Sequence, residues 1–320
     1  MLFPPYSSRL RRTLLAPAAA LYGAGSYLHR TLWLRPRLRN HGHLAPLVVI
    51  GSLRAGGAGK TPVARELARH LGAQGLRVGV LAYAIRFRET AAQITFTEIF
   101  PDSDWRDSSD EAVLLARGLP QARVFVTRDR EATWEALSRT GGFDVLVSDD
   151  GLMDPRLHGS FRTMLVRPGE RPVWRDLLPA GPYRLTAAAL GAMDQVLCEG
   201  TGFVRAPRAP TGWTAEKTGW IVGGLGNPDH FLKAVKSAGM HIAGSTFGPD
   251  HGLPDLADLA KARRAGARAG VTEFWCSEKD AIKLENHPEK PENLLVVGED
   301  VTLSPEFLTA VRAFLARATS

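Results

Sequence analysis

Apolar and polar positions follow three different rhythms along the chain. From Leu47 to Ile50 four apolar residues run without a break, bounded by Pro46 and Gly51. Such a run between turn residues predicts a strand buried on both faces of a parallel sheet. After Pro62 the period changes, and Val63, Leu67 and Leu71 fall on one helical face. Proline in a first helical turn costs little, because its missing N–H has no helical partner there. Phe143-Asp-Val-Leu-Val-Ser148 predicts a second buried strand, closed by Asp149-Asp150-Gly151. Asp110-Glu111 opens an amphipathic helix carrying Val113, Leu114 and Leu115. Near the start, Leu10, Leu14, Leu21, Leu28 and Leu32 recur at steps of four and seven, which aligns them on one helical face.

That first helix has four possible settings. Its apolar core, Thr13 to Leu28, is short for a spanning segment, which needs about 20 apolar residues. A cleaved secretory signal also has a basic start and a short apolar run. An interfacial helix, with Tyr22, Tyr27 and Trp33 at the polar boundary, is the favoured reading. Packing on the protein's own core is the plain alternative. Pro17 predicts a kink in a helix running straight through it.

Charge sharpens this picture. The net charge is +7 and the sequence pI about 9.7, which points to an anionic partner such as a phosphate ligand, nucleic acid or acidic membrane. Arg9, Arg11, Arg12, Arg30, Arg35, Arg37 and Arg39 precede residue 40, with no Asp or Glu among them. The excess is therefore largely N-terminal, suited to anionic lipid. At 320 residues, 44% hydrophobic and 23% charged, the chain has room for two folded domains. Cys198 and Cys276 lie far apart without metal-ligand neighbours, which argues against a disulfide scaffold or a zinc site.

The chemistry concentrates after the first strand. Gly51-Ser-Leu-Arg-Ala-Gly-Gly-Ala-Gly-Lys-Thr61 sits between strand and helix, the setting of a phosphate cradle. Gly56, Gly57, Ala58 and Gly59 bring backbone N–H groups close to phosphate oxygens. Lys60 reaches the terminal phosphates and the Thr61 hydroxyl suits Mg²⁺. The strict pattern wants glycine where this chain has Arg54. Asp149 and Asp150, at a strand end, suit the metal opposite the loop threonine. Asp110 reads either as a base or as a residue favoured at a helix N-terminus. His251, beside Asp250 in a Gly/Pro-rich segment, reads as an oriented acid/base group or a surface turn. Arg184, after Leu178-Pro-Ala-Gly-Pro-Tyr183, can clamp a phosphate, and Lys279-Asp280 reads as a helix start.

These segments, in this order, resemble the tetraacyldisaccharide 4'-kinase (lipid A 4'-kinase) family along almost the whole chain. The resemblance rests on the basic helix around Leu21-Tyr22-Gly23, the loop from Gly51 to Pro62, and Asp110 to Ala116. It continues through Arg128-Asp-Arg130, Asp149-Asp-Gly-Leu152 and Leu177 to Arg184. Gly226-Asn-Pro228 with Phe231, Phe247 to His251, and Ser277-Glu-Lys-Asp-Ala281 complete it.

The resemblance implies an α/β fold: a P-loop domain with a mostly parallel sheet at 46–212, a smaller α/β domain at 213–320, and a basic membrane-associated helix within 1–45. It implies transfer of the γ-phosphate of ATP, with Mg²⁺, to the 4'-hydroxyl of a tetraacylated glucosamine disaccharide 1-phosphate, the lipid A precursor. The setting implied is an anionic membrane surface, the cytoplasmic face of the bacterial inner membrane. By the same resemblance Asp110 is the base and His251 its coupled histidine. Lys60, Thr61, Asp149 and Asp150 serve nucleotide and Mg²⁺, and Arg184 lies near the active site. Three positions depart from the family pattern: Ala82-Tyr-Ala-Ile-Arg86 replaces a Ser-Arg-Gly-Tyr-Gly-like segment, Met153-Asp154 replaces Gln-His, and Leu185 replaces Glu. A homologue that binds ATP with weak or altered acceptor activity is the alternative. A nucleic-acid motor is disfavoured, because no basic-aromatic motif lies beyond the N-terminal arginines.

Overall fold

The computed structural model describes residues 9–34, 44–83, 96–157, 159–224, 228–248, 255–271 and 273–318. The chain divides into two compact units, Leu2–Val204 with Val301–Ser320, and Arg205–Asp300. Both are α/β.

In the first unit the long helix α1 (Arg9–Leu34) leads to β1 (Leu47–Ser52), α2 (Lys60–Ala73) and β2 (Val78–Tyr83). Then come β3 (Phe96–Ile99), α3 (Asp110–Gly118), β4 (Ala122–Thr127), α4 (Arg130–Arg139), β5 (Val145–Asp149), β6 (Phe161–Val166) and β7 (Gln195–Cys198). The seven strands line up as β3-β4-β2-β5-β1-β6-β7. All neighbours are parallel except the edge pair β3 and β4. The two strands expected to be buried, β1 and β5, are buried along their whole length, as a parallel sheet covered on both faces requires. They lie side by side, with Ile50 opposite Asp149. Hence the chain leaving β1 and the carboxylates ending β5 emerge at the same carboxyl edge, where ligands gather in open α/β sheets.

The core between sheet and helices is close-packed. Phe125 is buried edge-on between Phe96 and Phe143, at centroid separations of 5.6 and 5.7 Å. Trp134 of α4 joins this cluster, and its indole Nε1–H donates to the Ala45 carbonyl at 2.7 Å, which satisfies the polar end of a buried ring.

The chain crosses into the second unit along β8 (Phe203–Arg208). There follow β9 (Thr218–Gly223), α5 (Pro228–Ser237), β10 (His241–Phe247), α6 (Leu256–Arg268), β11 (Glu273–Ser277), α7 (Glu278–Leu284) and β12 (Leu294–Leu303). Its sheet runs β10-β9-β11-β12-β8, with parallel pairing of β10, β11 and their neighbours. The last helix, α8 (Pro305–Ala318), belongs to the first unit, where Phe314 meets Phe161 at 5.3 Å.

Helix α1 continues through Pro17, which removes one backbone hydrogen bond without ending the element. Ala19 is fully buried against Leu177 and Ala180, with Leu15 and Tyr22 beside it. A side chain at Gly23 would meet Leu177 Cδ1 at 2.9 Å. Arg12 pairs with Asp176. Leu14, Leu21 and Leu28 occupy a different face and are exposed, Leu14 at 71% and Leu21 at 75%. The helix is thus packed on one side and apolar toward solvent on another. Among the described residues, no helix is long and apolar enough to cross a membrane.

Candidate active site

The loop between β1 and α2 owes its shape to glycine. Gly57 and Gly59 take φ of 63° and 77°, the left-handed region that is costly for residues with a Cβ. Gly59 is the N-cap of α2 and supplies no side chain to the helix end. The first N–H groups of a 14-residue helix therefore face outward with the positive end of its dipole, the arrangement that receives anions. Pro62 sits in that first turn, as the sequence pattern required.

The charged residues predicted on both sides of this loop meet. Thr61 is buried, and its Oγ1 donates to Asp149 Oδ2 at 2.7 Å. The carboxylate of Asp150 lies 3.3 Å from Lys60 Nζ and accepts from Arg184 Nη1 at 2.7 Å. Asp150 has φ of 58°, which Asp and Asn tolerate better than most residues. Burial alone would raise its pKa, but Lys60, Arg184 and Arg130 outweigh that and hold it below the ordinary carboxylate value. Asp150 is therefore ionised at neutral pH. Arg184 is positioned by its own backbone, whose N–H donates to the Leu53 carbonyl at 2.7 Å.

Asp110 begins α3, buried, behind the N-cap Ser109, whose Oγ accepts from the Ala112 N–H. α3 leads through residues 119–121 into β4, which is parallel to β2, so the helix runs back over the sheet with its first turn at the carboxyl edge. Asp110 is thereby carried toward the carboxyl edge that also holds Lys60. His251 and Asp250 lie outside the described residues, as do His158, Gly226, Asn227, Arg35, Arg37, Arg39 and residues 84–86.

One buried cation had no assigned role in the sequence reading. Arg130 follows Asp129, the N-cap of α4, and its Nη2 donates to the Asp149 carbonyl at 3.1 Å. The guanidinium stacks 5.0 Å above the Tyr83 ring. Burial lowers its pKa against the pull of Asp150 and Asp149, yet an arginine remains charged. It backs the carboxylate pair with a fixed positive charge. Its sequence signals were its place in the Arg128-Asp-Arg130 segment of the resemblance and its position at the start of a helix, where basic residues are normally disfavoured.

Two of the departing positions have structural employment. Leu185 is 3% exposed, inside the apolar cluster with Leu53 and Leu157. Asp154 accepts twice from the Arg156 guanidinium, at 2.9 and 2.8 Å, and Arg156 reaches on to Asp129 at 3.0 Å. Met153 packs on the same cluster as Leu185. In the second unit, Ser277 caps α7: its Oγ accepts from the Asp280 N–H and donates to Asp280 Oδ2. The other carboxylate oxygen, Oδ1, accepts from Gly224 N–H at 2.9 Å, so the Ser277 to Asp280 motif ties α7 to the end of β9.

Oxygen donors from a loop threonine and a strand-end carboxylate, next to a lysine and a helix N-terminus, place the protein among the P-loop nucleotide enzymes. The comparisons with known proteins refine this. A family model described as tetraacyldisaccharide-1-P 4'-kinase matches residues 11–316. The chain is 33% identical over 316 residues to the tetraacyldisaccharide 4'-kinase of Halorhodospira halophila, covering 95% of this chain and 93% of the relative. It is 34% identical over 293 residues to that of Alkalilimnicola ehrlichii, covering 85% and 84%. The chain belongs to the tetraacyldisaccharide 4'-kinase family. A crystal structure of LpxK from Aquifex aeolicus in complex with ATP shares the fold, with a TM-score of 0.70 and 22% identity over 96% of this chain and 99% of that one.

Proposed function

We propose that this protein is an ATP-dependent kinase that phosphorylates the 4'-hydroxyl of a tetraacyl disaccharide 1-phosphate in lipid A biosynthesis. The observation that carries this reading is the family match across residues 11–316. The geometry around the glycine loop supports it. Lys60, released from Asp150, and the N–H groups of the glycine loop receive the terminal phosphates of ATP.

The oxygen set fits Mg²⁺, which is commonly held by one or two carboxylates together with substrate phosphates. Thr61 Oγ1 and Asp149 Oδ2 are already adjacent and buried, and Asp150 adds a second carboxylate. A bound Mg²⁺ would neutralise charge on the transferring phosphate oxygens. The protein's remaining tasks are positioning and charge compensation, since phosphoryl transfer asks for little covalent chemistry. Asp110, buried at the start of α3, accepts the proton of the sugar hydroxyl. Arg184, drawn from Asp150 toward the phosphates, adds positive charge where the transfer occurs.

The same reading places the enzyme at the membrane that holds its acceptor, on the cytoplasmic face of the inner membrane. The exposed stripe of Leu14, Leu21 and Leu28 supports this, since a helix packed on one side and apolar on another suits an interface. Docking there spares the acyl chains of the acceptor from entering water.

The test is transfer of labelled phosphate from Mg-ATP to tetraacyl disaccharide 1-phosphate in detergent micelles, with the phosphorylated position read by mass spectrometry and NMR. Label at the 4'-position is expected. Label in inorganic phosphate alone, with no lipid product, would overturn the reading.

A further inference from the structure

A cavity of about 530 Å³ opens beside the phosphate loop, lined by Arg12, Arg54, Arg167 and Arg171 against only two carboxylates, Glu170 and Asp176. None of the residues assigned above to nucleotide, metal or proton transfer lines it. Its charges are fixed by their neighbours. Glu170 is buried and accepts from Arg54 Nη1 at 3.3 Å, from the Tyr183 hydroxyl at 3.2 Å and from the Arg167 backbone N–H at 3.0 Å. Arg54 stacks 5.1 Å from the centre of the Tyr183 ring. Arg167 Nη2 donates to the Gly57 carbonyl at 2.6 Å, tying the cavity wall to the phosphate loop. Arg171 Nη1 donates to the Glu170 carbonyl at 2.8 Å. Arg12 comes from α1 and pairs with Asp176.

The wall carries an excess of two positive charges. A phosphate monoester carries about −1.5 to −2 at neutral pH, and guanidinium forks match phosphate geometry. The position adds to the chemistry. One side of the cavity is the helix with the exposed apolar stripe, and the other is the loop that receives ATP. A ligand spanning these would carry acyl chains at one end and an accepting hydroxyl at another.

We infer that this cavity binds the phosphate monoester the acceptor already carries, its 1-phosphate. The inference rests on the proposed function and names the anchor that orients the disaccharide. Arg54, which breaks the strict glycine-loop pattern, is then a specificity residue shared by the loop and the acceptor site.

The experiment compares Arg171→Gln, Arg12→Gln and Arg171→Lys with the wild type, on acceptor with and without its 1-phosphate, in neutral detergent micelles. Losing one charge-assisted contact is expected to raise KM for the phosphorylated acceptor about 10- to 100-fold. KM for ATP and for the dephosphorylated acceptor should not change, and Arg171→Lys should recover part of the loss. Equal losses on both acceptors would overturn the inference in favour of packing. A raised KM for ATP would overturn it in favour of a nucleotide contact. A third arm adds anionic phospholipid to the micelles. If the variants lose only the response to that lipid, the cavity holds a membrane headgroup and the inference fails. Should the wild type phosphorylate neither acceptor, the proposed function falls, and calorimetric binding of the two disaccharides decides the cavity separately. Preference for the 1-phosphate, lost in Arg171→Gln, supports the inference. Equal binding overturns it.

Discussion

Replacing Thr61 by valine isolates the contact on which the metal side of the site depends. The two side chains are nearly the same shape, so no sizeable cavity opens. What disappears is the hydroxyl that donates to Asp149 Oδ2 at 2.7 Å, between residues only 7% and 5% exposed. A hydrogen bond to a charged group contributes about 1.5–3 kcal/mol. In a folded unit of roughly 150–250 residues each kcal/mol moves Tm by about 2–4 °C, so Thr61→Val should melt several degrees lower in metal-free buffer. Serine keeps the hydroxyl and should stay near the wild type. For activity, the Mg²⁺ concentration at half-maximal rate should rise about 10- to 100-fold in the valine variant at saturating ATP, the usual cost of disturbing a metal's supporting contacts. Differential scanning calorimetry and initial rates against free Mg²⁺ read the two effects. The reasoning is refuted if Thr61→Val keeps both the wild-type Tm and Mg²⁺ dependence, or if Thr61→Ser is damaged as much as the valine variant.

Three further outcomes follow from other parts of the molecule. Because the pKa of Asp150 is depressed in the folded protein, its contribution is complete above the unfolded value of 3.8 and lost as pH falls through the folded one. Asp150→Asn, which suits the same backbone, should therefore show a Tm deficit that is constant from pH 8 to about 5 and closes only below about pH 4. Cys276 is fully buried, and burial with nearby Asp280 pushes its thiol pKa up, so a thiol reagent at pH 8 should label it only on unfolding. Labelling of Cys276 in the native protein at the rate of a free thiol would contradict this. Leu14→Glu with Leu21→Glu should leave Tm nearly unchanged, both positions being exposed, while sharply reducing sedimentation with anionic vesicles. Unchanged sedimentation would remove α1 as the membrane contact.

What the sequence disclosed was local in origin. The loop, its flanking strand and helix, and the acidic end of β5 are encoded within a few residues each, where periodicity and turn chemistry act. The pairing of Thr61 with Asp149 joins residues 88 apart, and it was legible only because a known loop pattern implies a carboxylate opposite. Arg130 was not legible as a site residue, since its burial beneath Asp149 depends on how α4 packs behind β5. The Arg54–Glu170–Tyr183 contacts span 116 and 129 residues and leave no periodic trace. Leu185 is a contact the sequence alone did not place. It stands where the family pattern has Glu, and its side chain turns into the apolar core beside Arg184. Lys279-Asp280, read as a helix start, lies in the first turn of α7, and the structure adds the Ser277 cap and the reach of Asp280 back to Gly224.

The central claim is that the Lys60 side of the sheet edge and Asp110 together move phosphate from ATP to the disaccharide. Single-turnover transfer from Mg-ATP to tetraacyl disaccharide 1-phosphate, with Lys60→Ala and Asp110→Ala beside the wild type, tests it most directly. The account predicts 4'-phosphorylated product from the wild type and losses of about 100-fold or more in both variants, Asp110→Ala in the rate with ATP binding retained. Wild-type turnover matched by either variant would contradict it.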